Sequence, residues 1–311
     1  MPLHLSYRPN DFDQIVGNET TVKAIKTILS RKKDFPKSWL FTGPTGCGKT
    51  TLARIISKHL GCAPEATNQD FQEINSSNNR GIDTAREIQR TMMFYPANKS
   101  SKCRVYLMDE VHAGTRDFMN AMLKALEDTP PHVFFLLCTT EPEKLLPTIR
   151  NRCSIFEVKN LSDNLIMKLI QNVLEGEGEE GVDKEVIEEI AKAANGCPRQ
   201  ALVLLDQIID LSPDEMLESV QTLQLAQKQT IDLCRVLLNE KNNWDDVRKI
   251  LKDITDEPEK VRQAINYYMQ AVLLKSPTIN PRALLVLTCF SDTFFYNGKP
   301  GLTRACADVF S

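Results

Sequence analysis

The sequence predicts an α/β fold, an open sheet of parallel strands that continues into helical segments. Three observations lead there. A glycine-rich run of eight residues, Gly43 to Thr50, stands between a short apolar run and an amphipathic stretch. Up to about residue 160, strand-length apolar runs alternate with runs of helical period, the order that builds a parallel sheet covered on both faces. From Leu161 onward the strand-like runs give way to amphipathic helices joined by acidic connectors. A chain of 311 residues exceeds one ordinary domain, and the character changes place its divisions at 1–160, 161–211 and 212–311.

Tyr7-Arg8-Pro9 opens an extended segment, because the residue before a proline is pushed away from helix. Val22, Ile25, Ile28 and Leu29 define an amphipathic helix that ends near the basic Arg31-Lys32-Lys33. Ser38 to Thr42 reads as a strand, and Thr51 to Leu60 as the helix after the glycine run. Phe71 to Asn75 is a second strand, Ser76 to Gly81 a polar loop, and Ile82 to Met93 a further helix. Cys103 to Glu110 is an apolar strand ending in two carboxylates. Phe118, Met122 and Leu126 mark the next helix with a stripe that belongs in a core. Val133 to Cys138 is apolar throughout, as in a strand buried on both faces, and ends at Thr139-Thr140.

Glu175 to Gly181 is an acidic, glycine-broken connector. Val186, Ile187, Ile190 and Ala194 mark one helix, and Ala201, Leu204, Leu205 and Ile208 another. Ser212-Pro213 is the expected hinge into a last helical segment. There Leu233, Val236 and Leu237, then Val247, Ile250 and Leu251, then Ala283 to Thr288, keep a helical period.

Hydrophobic content of 42% and charged content of 25% are those of a soluble globular protein. No apolar run approaches the ~20 residues of a membrane span, and the start lacks a signal pattern. The nine cysteines are scattered without a C-x-x-C pair, which points to free thiols in a reducing, cytoplasmic compartment and to neither a disulfide framework nor a zinc site. Net charge is −3, but residues 1–160 hold 22 Lys and Arg against 17 Asp and Glu, and the remainder 16 against 24. The basic front suits a polyanion; an unevenly solvated surface gives the same balance.

Gly43-Pro44-Thr45-Gly46-Cys47-Gly48-Lys49-Thr50 fits G-x-x-x-x-G-K-[ST], the P-loop. Its glycines let backbone N–H groups turn inward onto phosphates. Lys49 is placed to reach the β- and γ-phosphates, and the Thr50 hydroxyl to ligand Mg²⁺. A helix starting just beyond adds its positive end. With a P-loop upstream, the strand ending in Asp109-Glu110 reads as the Walker B arrangement: Asp109 holds Mg²⁺ through water and Glu110 polarises the attacking water. Thr42, Asp109 and Thr140 all close apolar strands, so one site can gather them.

With these motifs the chain resembles the clamp-loader ATPases of the AAA+ class, the bacterial tau/gamma subunit in particular, with features of the small subunits of replication factor C. The resemblance runs from Tyr7 to about Asp206. It includes Val16-Gly17, Asp109-Glu110-Val111-His112, Leu123 to Glu127, Thr139 to Leu145, Arg152-Cys153 and Gly196 to Leu202. It implies an AAA+ domain over 1–160, a small helical lid over 161–211 and a helical collar for oligomerisation over 212–311. It places Thr140, with Thr139 as the neighbouring alternative, at the sensor-1 position, and Arg199 at the sensor-2 position on the lid. It makes Arg152 an arginine finger reaching into the next subunit. Tyr7, Arg8, Val16 and Gly17 fall around the adenine, and Thr51 closes the P-loop contacts. Arg80 and Arg116 lie near positions that face DNA, although an exposed arginine needs no such role. Arg152 also reads as a surface arginine, and Arg199 as a helix cap or pairing partner.

The implied function is ATP- and Mg²⁺-dependent loading of a sliding clamp onto primer-template DNA, within a ring of loader subunits expected to be pentameric. Two alternatives stand beside it: a non-hydrolysing scaffold subunit of the delta-prime type, and another AAA+ DNA remodeller. The chain departs from the family in three ways. Asn151 replaces the serine before Arg-Cys, the zinc module after the P-loop helix is missing, and the chain is shorter than full-length tau/gamma.

Overall fold

The computed structural model describes residues 1–31, 35–65, 67–179, 182–211, 215–216, 229–239, 241–254, 256–275, 278–294 and 297–310. The chain forms two compact units, Met1–Pro213 and Asp214–Ser311.

Five strands build the first unit: β1 (Ser38–Thr42), β2 (Phe71–Asn75), β3 (Arg104–Asp109), β4 (Val133–Thr139) and β5 (Ser154–Glu157). They lie in the order β2-β3-β4-β1-β5, and every pairing is parallel. The helices before and between them are α1 (Leu3–Ser6), α2 (Glu19–Leu29), α3 (Lys49–Leu60), α4 (Ile82–Thr91), α5 (Arg116–Glu127) and α6 (Pro147–Arg150). Side chains alternate across each strand, and the two faces carry separate cores. On one face Trp39, Phe41, Leu107 and Leu136 meet Ile25 of α2 and Leu52, Ile55 and Ile56 of α3. On the other, Leu40, Tyr106, Met108 and Phe135 meet Ile88 of α4 and Phe118 and Met122 of α5.

After β5 come α7 (Asp163–Glu177), α8 (Lys184–Ala193) and α9 (Pro198–Ile208). Two hydrogen bonds seat them: the Leu3 N–H donates to Asp206 Oδ1 (3.1 Å), and the Leu161 N–H to the Gly196 carbonyl (2.8 Å). The described part of the second unit is helical at 229–238, Trp244–Asp253, Pro258–Lys275, Pro281–Cys289 and Gly298–Asp308. Its core includes Leu233, Leu237, Val247, Ile265, Val286 and Leu302. Among the described residues, no helix is long and apolar enough to cross a membrane.

Several boundaries differ from the sequence reading. Helix α3 starts at Lys49, two residues earlier than expected, because Gly48 at φ +104° lets the chain enter the helix directly from the P-loop. Helix α4 stops at Thr91, after which Met92 is buried and Met93 is exposed. Strand β3 ends at Asp109, and β4 runs one residue further than expected, to Thr139, so Thr140 lies just past its end. Helix α7 absorbs Glu175 to Glu177 of the expected connector and closes at Gly178, whose φ is +76°. Strand β5 was not anticipated. It is a four-residue edge strand, and its half-exposed alternation resembles loop composition. Lys32, Lys33, Glu180, Gly181 and the Ser212-Pro213 hinge lie outside the described residues.

Candidate functional site

The C-terminal ends of β1 and β3 face one cleft, which the N-terminal segment and α9 close from the other side. The P-loop from Thr45 through Thr51 lines it, together with Asp109 and Glu110. Its apolar lining includes Ile15, Val16, Leu161, Leu169 and Leu202, and Tyr7 and Arg8 also line it. Apolar side chains together with a helix N-terminus suit a ligand that carries both a base and phosphates.

The P-loop conformation depends on glycine. At Gly43 (φ +144°) a Cβ would lie 2.0 Å from the Val158 carbonyl oxygen, so the loop leaves β1 in backbone contact with the residue after β5. At Gly46 (φ +74°) a Cβ would lie 2.6 Å from Cys197 Sγ, where the start of α9 closes on the loop.

Lys49 is buried, and its ammonium donates only to P-loop carbonyls, Gly43 O at 2.8 Å and Pro44 O at 2.7 Å. Among the described residues it has no carboxylate partner. A buried ammonium without a counter-charge is costly, and an anion in the loop supplies that charge. Two further cations, Arg8 and Arg199, line the cleft, beside the carboxylates of Asp109 and Glu110. The Arg8 Nε donates to Thr51 Oγ1 (3.1 Å). Burial pulls the Arg8 guanidinium below its ordinary range, the positive charges of Arg54 and Arg199 add to that shift, and Glu73 and Asp109 oppose it. Arg199, on the first turn of α9, lines the cleft beside Gly46.

The Thr50 hydroxyl donates to Asp109 Oδ2 (2.9 Å). A hydroxyl and a carboxylate side by side at the P-loop form the donor set that Mg²⁺ takes together with phosphate oxygens and water. Among the described residues no cluster of three or more His, Cys, Asp or Glu forms a self-sufficient metal cage. These residues fit a magnesium–nucleotide complex and do not form an all-protein metal site.

Glu110 follows β3 in a left-handed conformation (φ 48°, ψ 45°) and lines the cleft. The Thr140 hydroxyl donates to its Oε2 (3.1 Å), which joins the ends of β3 and β4.

Most sequence-predicted ligands line the cleft: Tyr7, Arg8, Val16, Thr45 to Thr51, Asp109, Glu110 and Arg199. Gly43, Pro44 and Gly17 stand behind its wall. Gly17 packs on Leu161 and Leu165, and Gly43 and Pro44 hold Lys49. Thr140 reaches the site only through Glu110. Arg152 lies elsewhere: it precedes β5, donates to the Thr148 carbonyl (2.9 Å) and pairs with Glu127 at the end of α5. Arg80, in the loop before α4, and Arg116, the first residue of α5, are both exposed, and the two segments are joined where the Thr115 N–H and hydroxyl both donate to the Arg80 carbonyl (3.0 Å each). Sequence reasoning did not place Leu169 and Leu202 in the cleft, since both sit at helix positions that read equally as core. It also gave His112 no task.

Residues 17–162 match the family described as DNA polymerase III, delta subunit. The chain is 33% identical over 296 residues to DNA polymerase III subunit tau of Bacillus subtilis, covering 88% of this chain and 52% of that protein. It is 36% identical over 227 residues to DNA polymerase III subunit gamma of Buchnera aphidicola, covering 68% of this chain and 61% of that one. The chain thus spans between half and two thirds of the length of these relatives. Among solved structures, the Thermotoga maritima RuvB Holliday junction branch migration motor superposes with a TM-score of 0.62 at 18% identity, over 89% of this chain and 94% of that one, a likeness of fold. With its parallel sheet and its P-loop cleft, the chain is similar over most of its own length to the gamma and tau subunits of DNA polymerase III.

Proposed function

We propose that the chain is an ATP-hydrolysing subunit of a sliding-clamp loader, working with other loader subunits to place a clamp on primer-template DNA. The observation that carries the reading is the buried Lys49 ammonium, without a carboxylate partner among the described residues, facing a cleft that Arg8 and Arg199 also line. Three cations around one cleft suit a polyphosphate.

In this reading the P-loop N–H groups and Lys49 hold the phosphates, and the apolar lining with Tyr7 and Val16 takes the adenine. Thr50 and Asp109 are the residues that would hold magnesium, whose chemistry is to neutralise charge on the phosphate oxygens. Glu110 is the general base that accepts a proton from the attacking water. Arg199 senses nucleotide from the lid, and Arg152 serves the neighbouring subunit. The complete set of Lys49, Thr50, Asp109 and Glu110 favours hydrolysis over a scaffold role. Arg80 and Arg116 contact the DNA backbone, so affinity falls with salt and is nearly indifferent to sequence.

The test is steady-state ATP turnover with and without clamp and primed DNA. Stimulation by both together is expected. Binding of ATP without turnover in the complete assembly selects the scaffold role, and turnover indifferent to any clamp selects another DNA remodeller.

A further inference from the structure

His112 lies two residues past Glu110, and its imidazole stands between oxygen atoms on both sides. Nδ1 is 3.3 Å from Glu110 Oε2 and 3.0 Å from Thr139 Oγ1. Nε2 is 3.2 Å from Glu141 Oε1, and the Glu141 carboxylate is itself paired with Lys144 at 2.7 Å. The Glu141 N–H donates to Thr139 Oγ1 (3.1 Å), which fixes the segment after β4 beneath the ring. Only 14% of the imidazole is exposed, so the ring has little freedom to turn.

We propose that His112 is a positioning residue for Glu110, itself oriented by Glu141. The inference rests on the reading of Glu110 as the general base. Glu110 lies just past the end of β3 in a left-handed conformation, and the contacts on its carboxylate are what set the direction of its side chain. The Thr140 hydroxyl donates to Oε2, and His112 Nδ1, hydrogen-bonded to Thr139 Oγ1, stands 3.3 Å from the same oxygen. Among the described residues Oε1 has no hydrogen bond, which leaves that oxygen for a proton from water. The arrangement follows the general logic of an active base oriented by a second group, which a third group orients in turn.

A structural role, fastening the end of β3 to the end of β4, would lower stability and nucleotide affinity alike. A positioning role has a different signature. In the full chain, His112→Ala should lower kcat by about 10- to 100-fold, the scale of a misplaced reacting group. Its KM for ATP, and its Kd for a fluorescent ATP analogue, should stay within about twofold of wild type. His112→Asn, which keeps an N–H near the place of Nδ1, should recover part of the loss. Adding His112→Ala to Glu110→Gln should lower turnover no further, because residues acting as a unit are not additive. If His112→Ala fails to fold, Glu141→Gln tests the same array from its far side, with the same expected split between kcat and Kd. Wild-type kcat in the folded variant, beside an inactive Glu110→Gln, overturns the positioning role and leaves the reading of Glu110 standing. Wild-type turnover in Glu110→Gln overturns both.

Discussion

Two single atoms carry opposite burdens in the cleft. The Lys49 ammonium is buried against carbonyls alone, so Lys49→Ala removes both an unpaired charge and the grip on phosphate. Nucleotide affinity should fall by 10-fold or more, about 1.4 kcal/mol for each factor of ten, without loss of melting temperature in the absence of nucleotide. Titration with a fluorescent ATP analogue checks this, and undiminished affinity would remove Lys49 from the site. Glu110, in contrast, reaches the cleft while one carboxylate oxygen is held by Thr140. Glu110→Gln should bind ATP normally and turn over at least about 100-fold more slowly, the usual scale for a general base; rapid-quench measurement of phosphate release reads it directly. At this scale the P-loop and Asp109-Glu110 were legible because their chemistry demands particular residues at fixed spacing. The bridge through His112 was not legible, since it joins residues from two strand ends and no spacing within one segment encodes it.

Elements are held by buried polar contacts as well as by apolar faces. Asp70, immediately before β2, is fully buried and accepts from the backbone N–H of Ala97 (2.9 Å) and Asn98 (2.8 Å) and from the Arg104 guanidinium (3.0 Å). Arg104 starts β3 and also donates to the Thr91 carbonyl at the end of α4 (2.6 Å), so one ion pair fixes β2, β3, α4 and the loop at 97–98. Burial raises the Asp70 carboxyl pKa, but the two N–H donors and Arg104 outweigh it and hold the group below the usual carboxylate range. Asp70→Asn leaves the arginine buried and uncompensated, a loss of about 3 kcal/mol, or a melting temperature lower by about 6–12 °C for a unit of this size. Because the folded pKa is the depressed one, Asp70 adds stability above the unfolded value of about 3.9, and that stability is lost as pH falls through the folded value. The gap between wild type and variant should therefore shrink below about pH 4, as thermal melts across pH would show. A constant gap would mean that the ionised carboxylate is not what stabilises the junction. The strands flanking this junction were readable from their apolar runs. The edge strand β5 was not: its four residues are half exposed, and their strand conformation comes from pairing with β1.

At the scale of the whole molecule the question is which chain supplies Arg152. Within its own chain it is remote from the cleft by topology. It precedes β5, hence stands at the N-terminal end of a parallel strand whose C-terminal end passes beside the P-loop, and β5 is the outer strand of the sheet. Its guanidinium is one-third exposed and held by Glu127 and the Thr148 carbonyl. On the proposed reading, such an arginine meets nucleotide when another subunit brings its own cleft to it, and the neighbour's phosphate then competes with Glu127. An arginine finger is worth roughly 10³–10⁵ in rate in GTPase systems. Arg152→Ala should bind ATP with wild-type affinity and hydrolyse it poorly even with clamp and primed DNA present, whereas Lys49→Ala should fail at binding. Mixing these two inactive variants discriminates cis from trans action. In mixed assemblies some interfaces pair an intact P-loop with an intact Arg152, and turnover should return to a fraction set by the mixing ratio. No recovery, in mixtures that native mass spectrometry shows to contain both variants in one oligomer, would place the finger elsewhere.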